Sequence, residues 1–341
     1  MSAVNDTNFK PAVFLLTGIS GQKDIHLWIS VHFCLMYVIS IVGNSVILFI
    51  IKTDPSLHEP MYIFLSMLAV TDFGLSMSTM PMILGMFLFN SREISLGVCF
   101  AQLFFIHLFS FTESSVLLLM AFDLFVAICN PMRYASILTP PRIAKMGQVF
   151  VLRGVAVIFP LPFLLKHYQY CQASVLSDSY CINQKVMKMA CSDVRVNYIY
   201  DFFVTISIVG LNSLLILLSY MMILKTVLSI ASQTECLRAL STCISHSCTF
   251  LLFYTPMVGL SVIHRFWKSS SPLLLILIGY IYLVISPMMK PIVYSVKSKH
   301  LCERIIRVFV KRRVSSSPGS SADDMGNEKH NPAITFGTLP S

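Results

Sequence analysis

Asp72, Glu113 and Lys290 are charged residues set inside long apolar stretches of this 341-residue chain. An ionisable side chain in such a stretch costs several kcal/mol unless it is paired or hydrated, so each is a candidate for function. Arg153 lies in a further apolar stretch, names no partner, and is expected to face the protein interior. Ser261 and Arg265 are four apart near the end of another, a spacing that puts them on one helical face. A guanidinium fork at the mouth of an apolar pocket pairs bidentately with a carboxylate. Hydrolytic and phosphoryl chemistry are not suggested: the chain shows no Ser, His and Asp triad, no zinc spacing and no phosphate loop. Neither an enzyme activity nor a cofactor is expected.

The elements that must position these residues are membrane helices. The chain is 55% hydrophobic and 12% charged, with mean hydropathy +0.74, far more apolar than an ordinary soluble domain. Crossing about 30 Å of hydrocarbon takes roughly 20 apolar helical residues. Seven windows meet that length, near 28–51, 60–83, 98–128, 143–165, 198–224, 238–263 and 273–295. No basic start or small-residue cleavage site precedes the first window, which predicts a retained helix and not a signal peptide. Lys297, Lys299, Arg304, Arg307, Lys311, Arg312 and Arg313 follow the last span, whereas Lys10 and Lys23 precede the first. That asymmetry predicts an inner carboxyl end and an outer amino end. The net charge of +9 then reflects basic residues at the anionic inner leaflet and implies no nucleic-acid partner. The expected organisation is an extracellular segment over 1–27, a membrane domain over 28–296, an amphipathic helix over 297–313 on the inner surface, and a disordered Ser-, Gly- and Pro-rich tail over 314–341.

Of ten cysteines, Cys99, Cys171, Cys181 and Cys191 fall on the expected outer face, where disulfides form. Spacing leaves all three pairings open. Cys34, Cys129, Cys236, Cys243, Cys248 and Cys302 lie in spans or inside and are expected as thiols. Asn5-Asp6-Thr7 is a glycosylation acceptor sequence on the expected outer side.

A series of spaced motifs adds a family resemblance over roughly residues 14 to 312. Gly43-Asn44 lies in the first span, and Leu57-His58-Glu59-Pro60-Met61-Tyr62 opens the second, which also holds Asp72. Met120-Ala121-Phe122-Asp123-Leu124-Phe125-Val126-Ala127-Ile128-Cys129-Asn130-Pro131-Met132-Arg133-Tyr134 ends the third. Ser219-Tyr220, Arg238-Ala239-Leu240-Ser241-Thr242-Cys243 and Pro291-Ile292-Val293-Tyr294 mark the last three. The set resembles the odorant receptors, a branch of the rhodopsin-like G-protein-coupled receptors. Phe253-Tyr254-Thr255-Pro256, His264-Arg265-Phe266 and the long cysteine-rich loop look like the class I, fish-like, branch.

The resemblance implies an all-α seven-helix bundle with disulfides Cys99–Cys181 and Cys171–Cys191. It implies a small-molecule odorant, a carboxylic acid in similar class I receptors, bound by His107, Gln184, Ser261 and Arg265 in the outer half. It places Asp72 and Glu113 around the sodium pocket of such receptors, beside Lys290 and near Tyr294. The ammonium of Lys290 is then expected to replace sodium between two carboxylates, the alternative being that it snorkels toward inner water. Asp123, Leu124, Phe125, Arg133 and Tyr134 fall where these receptors meet a stimulatory heterotrimeric G protein. Two positions depart from the pattern: Leu124 stands where the family has arginine, and Lys290 where it has asparagine. Leucine cannot make an arginine's charge-assisted hydrogen bonds, so coupling is expected to be weak, and a folded but signalling-poor receptor is the second reading. A transporter or channel, in which buried charges also mark ion paths, is the rival of another class; the absence of internal repeats stands against it.

Overall fold

The computed structural model describes residues 13–16, 23–170, 175–176, 180–229, 233–266, 272–297 and 301–306. Seven helices are long and apolar enough to cross a membrane: Ser30–Thr53, Pro60–Phe89, Leu96–Cys129, Pro140–Lys166, Arg195–Leu228, Ala239–Phe266 and Leu274–Val296. They are called spans one to seven below. Every expected window is present, and most run a few residues longer than the hydropathy alone marks.

Local chemistry sets the helix ends. Pro60 and Pro140 start spans two and four, where the ring pre-sets φ and the missing N–H would have had no partner. Ser95 caps span three by accepting from the Val98 N–H at 3.4 Å. Asn90 ends span two in the left-handed region with φ 52°, a conformation asparagine tolerates better than most residues.

Span three is the hub. Its most apolar stretch is 67% buried, against 22% in spans four and five, so those two present most of their apolar surface outward, as lipid-facing helices do. Gly154 of span four packs on it so closely that a Cβ there would stand 2.9 Å from the Phe111 ring. Arg153 departs from its expected interior place. It is exposed at the bundle surface, donating to Ser207 Oγ at 3.3 Å with its guanidinium over the Phe111 ring.

The Cys99 end of the bundle carries a three-stranded sheet that helical periodicity gives no hint of. β1 (Val13–Leu16) pairs antiparallel with β2 (Glu93–Ser95) and parallel with β3 (Val175–Leu176). Phe14 and Leu16 are fully buried beneath it, with Phe14 edge-on to Tyr170. Cys99 is bonded to Cys181, and the Cys181 N–H donates to Gln102 Oε1 at 3.0 Å. Cys191 is also disulfide-bonded; its expected partner Cys171, like Asn5, lies outside the described residues.

At the opposite end, residues 301–306 form a helical turn of the expected amphipathic helix. Leu301 is buried there and Arg304 bridges to Asp54 at 2.6 Å. The Ser56 hydroxyl and N–H, with a smaller contribution from Arg304, hold the Asp54 carboxyl below its ordinary range. The expected segments over 307–313 and 314–341 lie outside the described residues.

The Cys99–Cys181 bond closes a sequence separation of 82. Replacing both cysteines with serine is expected to cost on the order of 2–5 kcal/mol of stability. Thermal unfolding of the purified protein with and without the bond measures it.

Candidate functional site

Three layers of polar side chains run down the bundle from the Cys99 end. The deepest is built around span seven, where Pro291 lacks an N–H and so leaves the Pro287 carbonyl without its helical donor. Asn44 of span one supplies a replacement, donating from Nδ2 to Pro287 O at 3.2 Å and to Ser40 O at 2.9 Å. Gly43 permits the approach: a Cβ there would stand 3.2 Å from Pro291 Cβ. The Gly43-Asn44 pair thereby holds span seven in the register that aims Lys290 inward.

Lys290 is 1% exposed, donating to Asp72 Oδ1 at 2.6 Å and to Glu113 Oε1. Its ammonium lies 5.9 Å from the centroid of the Phe253 ring. Asp72 and Glu113 come from spans two and three, so one cation ties three helices. The outer oxygens Asp72 Oδ2 and Glu113 Oε2 have no partner among the described residues. Tyr294, one turn beyond, is buried with its hydroxyl 3.8 Å from Met120 Sδ.

Above this layer lies a cavity of about 110 Å³. Its apolar walls come from Ile106, Val204, Ile208, Val209, Met257 and Leu260, its polar points from His107, Ser110, Gln184, Thr205, Ser261, His264 and Tyr282. His107 lines the cavity while its Nδ1 is engaged by the Leu103 carbonyl at 2.9 Å. Two π-helical segments, Ile206–Leu211 and Ile281–Ile285, flank the cavity. They displace Ile208 and Tyr282 inward, where Tyr282 bonds Ser110 and the Ile208 carbonyl accepts from Ser114 at 3.3 Å. Ser114 also bonds Tyr254 at 2.7 Å and Asn212 at 2.8 Å, so spans three, five and six meet at one hydroxyl.

Three of the four expected ligand residues, His107, Gln184 and Ser261, line this cavity; Arg265 does not. The open guanidinium fork expected at its mouth is corrected by an internal partner. Arg265 Nη2 donates to Asp201 Oδ2 at 2.7 Å and to Thr205 Oγ1 at 2.8 Å, with the two charged side chains 3% and 2% exposed. Span five presents Asp201 one helical turn before Thr205, which brings the carboxylate to the end of span six. Asp201 is the residue the sequence reading missed. The rule that singled out Asp72 and Glu113 applies to it equally, because it also lies inside an apolar window.

At the end of span three away from Cys99, Tyr134 donates to Asp123 Oδ1 at 2.9 Å. Burial, then the charge of Asp123, raises the Tyr134 phenol above its ordinary range, so it stays a donor at neutral pH. Leu124 is 8% exposed in a small apolar cluster with Ile223 and Val227 of span five. Phe125, Tyr220, Leu240 and Cys243 pack around it. Arg133 is exposed, beside Met132 at 96% exposure, in the turn that follows.

Residues 33–312 match the family model described as olfactory receptor. The chain is 58% identical over 305 residues to human olfactory receptor 51G2, covering 89% of this chain and 97% of that protein. It is 53% identical over 306 residues to human olfactory receptor 51A7, covering 90% and 97%, and 52% identical over 309 residues to human olfactory receptor 51G1, covering 91% and 96%.

Lys290→Met leaves two buried carboxylates facing each other and is expected to lower stability by about 3–5 kcal/mol. Lys290→Asn empties the cation's place, so its unfolding temperature should rise with sodium chloride relative to choline chloride while the wild type stays flat. A wild type stabilised steeply and selectively by sodium would show that Lys290 does not fill that place.

Proposed function

The chain belongs to the olfactory receptor family, and from that premise we propose a G-protein-coupled odorant receptor with attenuated output. The odorant, small and volatile, enters the cavity bounded by His107, Gln184 and Ser261 from an outer Cys99 end. The Tyr134 end faces a stimulatory G protein that drives adenylyl cyclase, with the carboxyl terminus inside. For ligand chemistry, the lining supports an apolar body with a hydrogen-bonding end. An acid-type odorant is the class Arg265 would support once released from Asp201. Activation in this reading is a population shift: the ligand binds better to a form in which the Tyr134 end opens.

The observation that carries the attenuation is the place of Leu124. Its side chain fills the junction of spans three, five and six with apolar contacts, so opening that junction separates packed surface. In the same position an arginine would meet the partner with charge-assisted hydrogen bonds worth about 1.5–3 kcal/mol each. Lys290 acts in the same direction, because three helices must move without separating a buried ammonium from its carboxylates. These two contacts also support the second reading, a receptor that folds and binds but signals little.

In a cAMP assay on surface-labelled cells, Leu124→Arg is expected to raise odorant-evoked output per surface receptor by about tenfold, the lower end of the range one charge-assisted bond supplies. Lys290→Asn is expected to raise it less. Equal and strong responses from wild type and both variants would remove the attenuation, whereas silence in the wild type with ligand bound would favour the signalling-poor receptor.

A further inference from the structure

The carboxylate on Arg265 is the protein's own, and it is built in from several sides. Asp201 Oδ1 accepts from Asn183 Nδ2 at 2.7 Å, and Oδ2 from Gln184 Nε2 at 3.0 Å as well as from Arg265 at 2.7 Å. Asn183 and Gln184 open a short helix, Asn183–Lys188, directly after the disulfide-bonded Cys181. The Arg265 guanidinium lies over the rings of Phe202 and Tyr198, at 5.1 and 5.6 Å from their centroids. A covalently supplied, hydrogen-bonded and stacked partner of this kind is preorganised, and a free ligand carboxylate would have to compete with it from solution.

The pair also stands just behind the cavity wall. Thr205, which accepts from Arg265 and donates to the Asp201 carbonyl, and Gln184, which donates to the Asp201 carboxylate, line the cavity, while Asp201 and Arg265 do not. Among the described residues that line the cavity there is no arginine, lysine, aspartate or glutamate. An ionised ligand entering there would leave water without a counter-ion, which disfavours it strongly. A neutral ligand keeps the hydrogen bonds of His107 and Ser261 and meets no such penalty.

We propose that Asp201 determines ligand class: it holds Arg265 out of the cavity, so this receptor selects an uncharged odorant with a hydrogen-bonding end, such as an alcohol or ketone, over the matching carboxylate. The inference rests on the odorant-cavity reading above and adds a residue to it. Arg265 Nε and Nη1 have no partner among the described residues. Once the charge of Asp201 is removed, the guanidinium therefore has donors for both oxygens of an incoming acid.

The test is ligand-dependent thermal unfolding of the purified full-length receptor at neutral pH, with pentanol, pentanone and pentanoate as probes. Stabilisation reads binding whether or not the receptor signals. Wild type is expected to bind pentanol or pentanone about tenfold or more tightly than pentanoate, and Asp201→Asn to gain about tenfold or more for pentanoate. The double variant Asp201→Asn/Arg265→Gln should lose that gain while keeping pentanol binding. A wild type that prefers pentanoate, or a folded Asp201→Asn with no gain, overturns the proposal. If Asp201→Asn alone does not fold, the wild-type preference and pentanol binding by the double variant decide it, and failure of either overturns it. No stabilisation of any folded variant by any probe overturns the odorant-cavity reading itself, and the class selectivity with it; a reversed preference overturns the selectivity alone.

Discussion

One ammonium with two carboxylates constrains the middle of this bundle. In a low-dielectric interior an unpaired Lys290 would be far more costly than a misplaced apolar side chain, and so would an unpaired Asp72 or Glu113. The three can only be buried together, which fixes the rotation of spans two, three and seven about their axes at one level. Much of the nearby sequence follows from that. Pro291 breaks the backbone ladder of span seven, Asn44 repairs the orphaned carbonyl, and Gly43 admits Pro291 close enough for the repair. Along Pro272–Tyr280, where span seven is apolar all round, packing alone would leave its rotation less sharply defined.

The same rule operates nearer the Cys99 end with Arg265 and Asp201, and the two ion pairs bracket the cavity. Below it three helices are tied by Lys290; beside it spans five and six are tied by Arg265, with Asn183 and Gln184 bringing in the segment after Cys181. Between them the described lining residues include no acid, lysine or arginine, and two π-helical segments turn Ile208 and Tyr282 into it. The charges that stand close to the cavity are satisfied by one another on either side, which leaves its described lining apolar with neutral polar points. Its shape is then set by where span five and span seven each take one extra residue per turn.

The sequence displayed the spans well, because lipid demands about 20 apolar residues per crossing and nothing else in the chain competes with that pattern. It displayed the ends of the spans less well, since caps and prolines, not hydropathy, decide them. The sheet of Val13–Leu16 with Glu93–Ser95 and Val175–Leu176 is hidden because its strands are two to four residues long and pair residues far apart in sequence. The π-helical segments carry no periodic signature. For the site, the buried charges were legible as types, and three of the four expected ligand residues do line one cavity. The pairing of Arg265 is not legible locally, because a basic residue at a helix end carries no mark of the acid that can reach it. Asp201 lies 64 residues away in sequence, and only the packing of span five against span six brings the two together.

Leu124 shows how a single side chain changes what the rest of the machinery must do. An arginine at the end of span three would be a polar group waiting for a partner, and part of the free energy of the open form would come from outside the chain. Leu124 instead adds apolar contacts to the observed arrangement, packed against Ile223 and Val227, while Tyr134 keeps Asp123 bonded beside it. A ligand shifts such an equilibrium only by its differential affinity for the two forms. A small odorant in a cavity of about 110 Å³ has few atoms with which to generate that difference, since even efficient ligands gain at most about 1.5 kcal/mol per heavy atom in total binding. Each extra contact that favours the closed end therefore takes a large share of what the ligand can supply. In the receptor reading proposed above, Lys290 at mid-bundle and Leu124 at its end hold the observed arrangement from two levels, so attenuation there is a matter of the balance of two states and not of the loss of either site.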